Sequence, residues 1–248
     1  MIDEARADVI EIMRAVRILA DPDALMGLHL LGGDGQDHLL GYFGDLEALV
    51  RHAAHWSGRV PAVFVTLNPV DSGRASAPRD PAGTALLPST QDDEILRRRW
   101  FPIDLDPVRT SGASSSDGER RAVLATAARV RAWLSSLGWP APVLADSGNG
   151  VHLLYRIELP NAPESTRLVA LGLAALDLRW SDAAVTVDAS VADAARRWKL
   201  YGTLAANRAA TRERPHRLAR LLEVPPQLAV VPAERLAALL RTPRPPPA

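Results

Sequence analysis

Asp104-Leu105-Asp106 is the stretch best suited to chemistry. It closes the run Trp100-Phe-Pro-Ile-Asp-Leu-Asp-Pro107, in which Trp100 to Ile103 read as a short buried strand. Pro107 lacks an N–H and ends the ladder. Residues two apart on a strand face the same side. Asp104 and Asp106 therefore stand side by side, with Leu105 turned into the core. Like charges at that spacing raise each other's pKa. A hard divalent cation such as Mg²⁺ resolves the conflict and leaves coordination positions for substrate phosphates. Taken alone, an Asp-x-Asp pair is also what a solvated strand end looks like, so its partners in the sequence matter.

A second motif is Ser147-Gly148-Asn149-Gly150, followed by Val151 and His152. Gly148 to Gly150 suit a hairpin turn that needs positive φ. Such a turn can expose backbone N–H groups that cradle an anion, and Ser147 and His152 add a hydroxyl and a ring N–H. The plainer alternative is a hairpin with a buried histidine. A third motif is Asp188, followed by Arg196-Arg197-Trp198-Lys199-Leu200-Tyr201-Gly202-Thr203. Asp188 would complete a three-carboxylate metal site. Arg197 and Lys199, two apart, would face one way on a strand and neutralise phosphates. Lys199 is the only lysine in the chain, and a compact ammonium is not equivalent to a guanidinium. Carboxylates holding two metals, a histidine and paired cations describe nucleotidyl transfer: one ion lowers the pKa of an attacking 3′-hydroxyl and the other stabilises the pyrophosphate leaving group.

The elements that must position these motifs can be read in order. An amphipathic helix is expected over 3–20, a hairpin over 25–43, a helix N-capped by Asp45, and a strand over 60–67. The stretch from 68 to 92, which holds Arg74 and Arg79, lacks hydrophobic period and reads as a long loop. His52 and His55 are helically spaced but have no third ligand nearby, so they read as ordinary histidines. Ser116 and Glu119 form a capping-box pattern before a helix that Gly138 closes. Strands are expected over 142–147 and 151–157, a helix over 163–178, and strands over 184–188 and 198–201. From 100 to 188 the order is strand, helix, strand, strand, helix, strand, the split-βαβ arrangement of RRM-like sheets. In it the first and third strands are central neighbours, which brings Asp104 and Asp106 beside His152.

Composition removes whole classes of function. The 248 residues contain no cysteine, which excludes disulfides, iron–sulfur and zinc–cysteine sites and thiol catalysis. No apolar run reaches membrane-spanning length and no signal peptide is evident, so a cytoplasmic protein is expected. The formal net charge is zero but unevenly spread. Between 196 and 220 lie Arg196, Arg197, Lys199, Arg208, Arg212, Arg214, Arg217 and Arg220 against Glu213 alone. Such a patch can hold a polyanion.

In combination these motifs resemble the archaeo-eukaryotic primase superfamily, in its primase-polymerase branch from phages, plasmids, integrated elements and some CRISPR loci. The matching segments are 64–70, 98–109, 138–155, Asp188 and 197–203, with Pro215-His216-Arg217 similar to the family's end of domain. The resemblance covers roughly residues 20–225. It implies an α+β fold, an RRM-like sheet packed against an N-terminal α/β lobe. The catalytic domain would span 1–225, with lobes at about 1–95 and 96–225, before a C-terminal helix and proline-rich tail over 226–248. It implies a DNA primase and polymerase of prokaryotic, phage or plasmid origin that uses two Mg²⁺ or Mn²⁺ ions, with no zinc. NTP or dNTP and a single-stranded or primed DNA template would be its partners, with a helicase or a CRISPR-associated protein as a further candidate. By this resemblance Asp104, Asp106 and Asp188 are the catalytic metal ligands. Ser147, Gly148, Asn149, Gly150, His152, Arg197 and Lys199 bind nucleotide. Arg109, Arg74, Tyr201 and Asn68 are candidate nucleic-acid contacts. The chain departs from the pattern in having no cysteine-rich zinc insertion and in a degraded 71–90 region.

Two other classes compete. A nuclease or glycosyltransferase could use the Asp-x-Asp pair, but no candidate catalytic lysine and no βαβ nucleotide fingerprint accompanies it. A catalytically lapsed single-strand-binding module is the other; such sheets present aromatic residues, whereas this one presents carboxylates.

Overall fold

The computed structural model describes residues 6–33, 35–73 and 87–241; Arg74 and Arg79 lie outside them. The protein is an α+β structure built on two antiparallel sheets, one of four strands and one of five. The first helix, α1 (Val9–Leu19), is capped by Asp8, whose carboxylate accepts the Glu11 N–H at 3.0 Å, and buries Ile12, Ala15, Val16 and Leu19. Strands β1 (Met26–Leu31) and β2 (Asp37–Phe43) form the expected hairpin. Helix α2 (Leu46–Trp56) starts at Asp45, which accepts from Glu47 and Ala48 N–H groups. Strand β3 (Ala62–Thr66) pairs with β1.

The central strand β4 (Arg97–Pro107) begins three residues before the apolar run and carries Arg97, Arg98 and Arg99 within it. It can do so because those cations find internal partners. Arg97 and Arg99 both approach the buried Asp21 carboxylate. Arg98, 2% exposed, donates to the Ala192 carbonyl at 2.7 Å and the Thr166 hydroxyl at 2.6 Å. Helix α3 (Asp117–Ser136) opens on the Ser116–Glu119 capping box. Then come β5 (Val143–Asp146), β6 (Val151–Pro160), helix α4 (Pro163–Trp180) and β7 (Val185–Val187). The five-stranded sheet runs β11-β5-β6-β4-β7, with β11 (Arg220–Glu223) added at its edge. The RRM-like order therefore holds, with β4 and β6 as antiparallel neighbours at its centre. Phe101, Ile103 and Leu105 turn to the α3/α4 side and are fully buried; each contributes about 2 kcal/mol of apolar transfer energy.

The two lobes are not consecutive in the chain. Strand β8 (Arg197–Lys199) does not extend the five-stranded sheet; it pairs with β3 and completes the four-stranded order β2-β1-β3-β8. A division near residue 95 thus misses a segment that returns to the first lobe. The return is driven by apolar contact: Trp198, Leu200 and Tyr201 are buried in the core shared by both sheets. A short ribbon of β9 (Leu204–Ala205) and β10 (Arg217–Leu218) follows, and α5 (Ala233–Ala238) closes the described chain near a final 3₁₀ turn. Among the described residues no helix is long and apolar enough to cross a membrane.

Candidate active site between the two sheets

A cleft of about 270 Å³ opens between the sheets. The five-stranded sheet lines it with Asp104, Asp106, Ser147, Asn149, His152 and the segment after β7 with Asp188. The four-stranded sheet contributes Leu31, Phe64, Arg197 and Lys199. Asp104 stands directly opposite His152 in the β4–β6 register, and the Asp188 N–H continues the ladder by donating to the Asp104 carbonyl at 2.9 Å. Three distant segments thus meet on the face away from α3 and α4.

The electrostatics of this meeting are unbalanced. Burial, and then the neighbouring Asp106 and Asp188 carboxylates, push the Asp104 carboxyl well above its usual range, against weaker opposition from Arg196 and Arg109. His152 is 3% exposed, and burial together with the Lys199 charge pushes its imidazole down to about 3. The ring is neutral at physiological pH and cannot neutralise Asp104. Its Nε2 lies 3.5 Å from Asp104 Oδ1, at the long limit of a hydrogen bond. Its Nδ1 lies 2.9 Å from the Tyr201 hydroxyl. Tyr201 is fully buried and also accepts the Trp198 indole N–H at 2.8 Å. A nucleic-acid contact from Tyr201 does not fit that burial; the side chain braces His152.

The Ser147–Gly150 turn forms, closed by the Ser147 N–H on the Gly150 carbonyl at 3.0 Å, but its positive-φ glycine is Gly148 and not Gly150. Its backbone donors, however, are spent internally. The Gly148 N–H donates to Asp146 Oδ1 at 2.7 Å, and the Asn149 and Gly150 N–H groups to the Ser147 hydroxyl oxygen at 3.4 and 2.8 Å. Asn149 Oδ1 accepts the Ser115 N–H at 3.0 Å. The turn is no backbone anion cradle; it presents side chains, chiefly Ser147, whose oxygen accepts those bonds and whose proton remains to donate. Glycine at 150 is a packing requirement. A Cβ there would lie 2.4 Å from the Leu105 carbonyl oxygen and 2.5 Å from Asp106 Oδ1.

The cations divide into held and open. Lys199 Nζ donates to the Thr203 hydroxyl and the Leu204 carbonyl, both at 2.8 Å, and burial lowers it to about 7. Arg197 lies 2.7 Å from Asp37 of β2. Arg109 donates to the Ala113 carbonyl at 2.9 Å and faces Asp106 at 3.4 Å, so it fastens the turn after β4. Asn68, 4% exposed, donates to the Ala194 carbonyl and accepts the Arg99 N–H; it ties the 188–196 segment to β4 and is too buried for a nucleic-acid contact. Asn207 and Arg208, both exposed, also line the cleft. The motifs did not single them out. The excess of arginine between 196 and 220 was the only sign, and it does not distinguish Arg208 from Arg214, which is paired with Glu119 at 2.7 Å, or from Arg217, which is paired with Asp117.

No group of three or more His, Asp or Glu side chains among the described residues is already arranged to hold a metal ion. The donor set nevertheless fits one by its chemistry. Asp104, Asp106 and Asp188 share one cleft, and among the described residues no lysine or arginine stands at ion-pair distance from Asp104 or Asp188. Oxygen donors carrying unneutralised charge are what a hard divalent cation selects.

No family model matches the sequence, and no curated protein matches it. Among solved structures, the fold is similar to the crystal structure of primase RepB′, with a TM-score of 0.51 over 94% of this chain and 11% sequence identity. The chain covers 60% of that primase's length. At this identity the likeness is one of fold: this α+β architecture is one that a primase also has.

Proposed function

We propose that this chain is a template-directed nucleotidyltransferase of the primase-polymerase kind, joining a 3′-hydroxyl to an incoming nucleoside triphosphate with release of pyrophosphate. One observation carries the reading. Asp104 faces His152 across adjacent strands, beside Asp106 and Asp188, in a cleft edged by arginines. The fold likeness to a primase supports it. Asp104, Asp106 and Asp188 would hold the divalent ions, two Mg²⁺ or Mn²⁺ in this reading. Bound there, they supply Lewis-acid chemistry at the attacking hydroxyl and charge neutralisation at the leaving group.

The chain's own residues bind and orient. His152 offers a ring N–H, and Ser147 a hydroxyl proton, to phosphate oxygens. Arg208 adds positive charge at the rim, where single-stranded DNA would lie, whereas Arg196 lines the same cleft paired with Asp193. Arg197, paired with Asp37, is held at the wall of the cleft. Leu31, Ala62 and Phe64 form an apolar wall that limits water around the reacting groups.

The test is incorporation of labelled nucleotide on single-stranded DNA, with and without a primer, in Mg²⁺ and in Mn²⁺, beside an Asp104→Ala/Asp106→Ala double variant. Product from the wild type alone supports the reading, and product without primer assigns priming. No product in any condition, with DNA still bound, would leave a binding module in its place.

A further inference from the structure

His152 makes two contacts of different character, and the hydrogen-bond inventory around them fixes where its proton sits. Trp198 Nε1–H can only donate, and it donates to the Tyr201 oxygen at 2.8 Å. Among the described residues the Tyr201 hydroxyl proton then has one acceptor, His152 Nδ1 at 2.9 Å. All three side chains are buried: Trp198 at 2%, Tyr201 at 0% and His152 at 3% exposure. The His152 and Trp198 rings lie against one another, 4.2 Å apart between centroids. If Nδ1 carried the proton, the Tyr201 oxygen would accept two bonds and its own proton would be orphaned in the core, which buried hydroxyls rarely tolerate. The Nε2 lone pair would also face Asp104 Oδ1 at 3.5 Å.

We propose that Tyr201, itself held by Trp198, fixes His152 as the Nε2–H tautomer, so that the imidazole presents a donor to the cleft. Tyr201 is thereby a positioning residue. The sequence of donors runs from the Trp198 indole to the Tyr201 hydroxyl, to His152 Nδ1, and out through Nε2–H to an anionic oxygen beside Asp104. A triphosphate oxygen is such an acceptor. That last link rests on the nucleotidyl-transfer reading above; the tautomer does not. An Asp104 carboxylic acid donating to an unprotonated Nε2 is the opposite arrangement, and the two are separable by experiment.

The measurement is the long-range ¹H–¹⁵N correlation spectrum of the full chain labelled with ¹⁵N-histidine at neutral pH, with His152 assigned from its loss in His152→Gln. A pyridine-type Nδ1 and a protonated Nε2 are expected. The reverse pattern in the wild-type chain overturns the proposal; His152→Gln serves only to assign the signals. Tyr201→Phe keeps the ring and removes the hydroxyl. It is expected to give a mixed tautomer signal and to raise KM for nucleotide roughly tenfold with kcat changed less than about twofold, the loss of one charge-directed hydrogen bond. An unchanged His152 pattern in Tyr201→Phe would also overturn it. A wild type that incorporates no nucleotide but shows the Nε2–H form would sink the reaction proposed above and leave the tautomer assignment standing.

Discussion

An aspartate–histidine pair sits in each of the two sheets, and the two are built to opposite ends. In the four-stranded sheet, Asp37 Oδ2 lies 3.0 Å from His29 Nδ1, accepts the Ser89 hydroxyl, and faces Arg197 at 2.7 Å. His29 Nε2 continues to the Thr90 hydroxyl at 3.0 Å, which also meets Tyr42. Burial would raise the Asp37 carboxyl. The hydrogen bond and charge of His29, the Ser89 hydroxyl and the Arg197 charge outweigh it and hold it below its usual range. In the five-stranded sheet, Asp104 has a neutral histidine at 3.5 Å and two more carboxylates nearby, and its carboxyl is raised instead. The same two residue types make a strut in one place, tied through Asp37 Oδ2 while its Oδ1 is buried without a hydrogen-bond partner among the described residues, and an unresolved charge in the other. A buried charge with its partners present serves the fold; one left without them asks for a ligand.

The contrast breaks most visibly in activity. Asp188→Ala is expected to lower nucleotide incorporation at least roughly a hundredfold while leaving circular dichroism and the unfolding midpoint unchanged; retained full activity would remove Asp188 from the site. Stability separates the two pairs next. Asp37→Asn strands His29 and Arg197 and should cost about 3 kcal/mol in urea unfolding. Asp104→Asn removes a repelled carboxylate and should leave stability equal or higher by up to about 1 kcal/mol. If both variants lost stability alike, the distinction between strut and site would fail.

A smaller effect reads the buried lysine. Burial lowers Lys199 from 10.5 to about 7. Between those values the unfolded chain binds a proton that the folded chain does not, so wild-type stability gains a contribution that rises with pH across that window. The neutral amine still donates to Thr203 and Leu204. Lys199→Met should lack this alkaline rise in a series of melting curves, and parallel curves would show that Lys199 keeps an ordinary pKa. The smallest change is expected from Arg208→Ala at the rim. Binding of single-stranded DNA should weaken uniformly across sequences, with the log–log salt slope reduced by about 0.7. An unchanged slope would place the template elsewhere.

How much of this was legible in the chain depends on the range of the interactions. The Ser116–Glu119 capping box, the Asp45 cap, the turn at 147–150 and the side-by-side carboxylates of β4 are set by contacts within a few residues, and they appear where the periodicity and turn residues place them. The strand order that brings Asp104 to His152 also followed, because a split-βαβ connectivity leaves few ways to pair four strands. The start of β4 was not legible. Three consecutive arginines look like a solvated run until Asp21, Thr166 and Ala192 are known to meet them across intervals no local pattern encodes.

The sequence by itself therefore determined the elements, the central strand pair and the acids that face one another on it, since these depend on alternation and on short loops. Only the tertiary structure decided that 197–199 returns to the first sheet and that the turn's N–H groups are already used. Only it decided that Tyr201 and Asn68 brace the site from within, and that Arg208, not Arg214 or Arg217, stands open at the rim. Those outcomes turn on which partner a polar or apolar side chain finds across the fold. Hydrogen bonds and ion pairs are strong only at contact distance, so their partners are settled only when the distant segments are packed together.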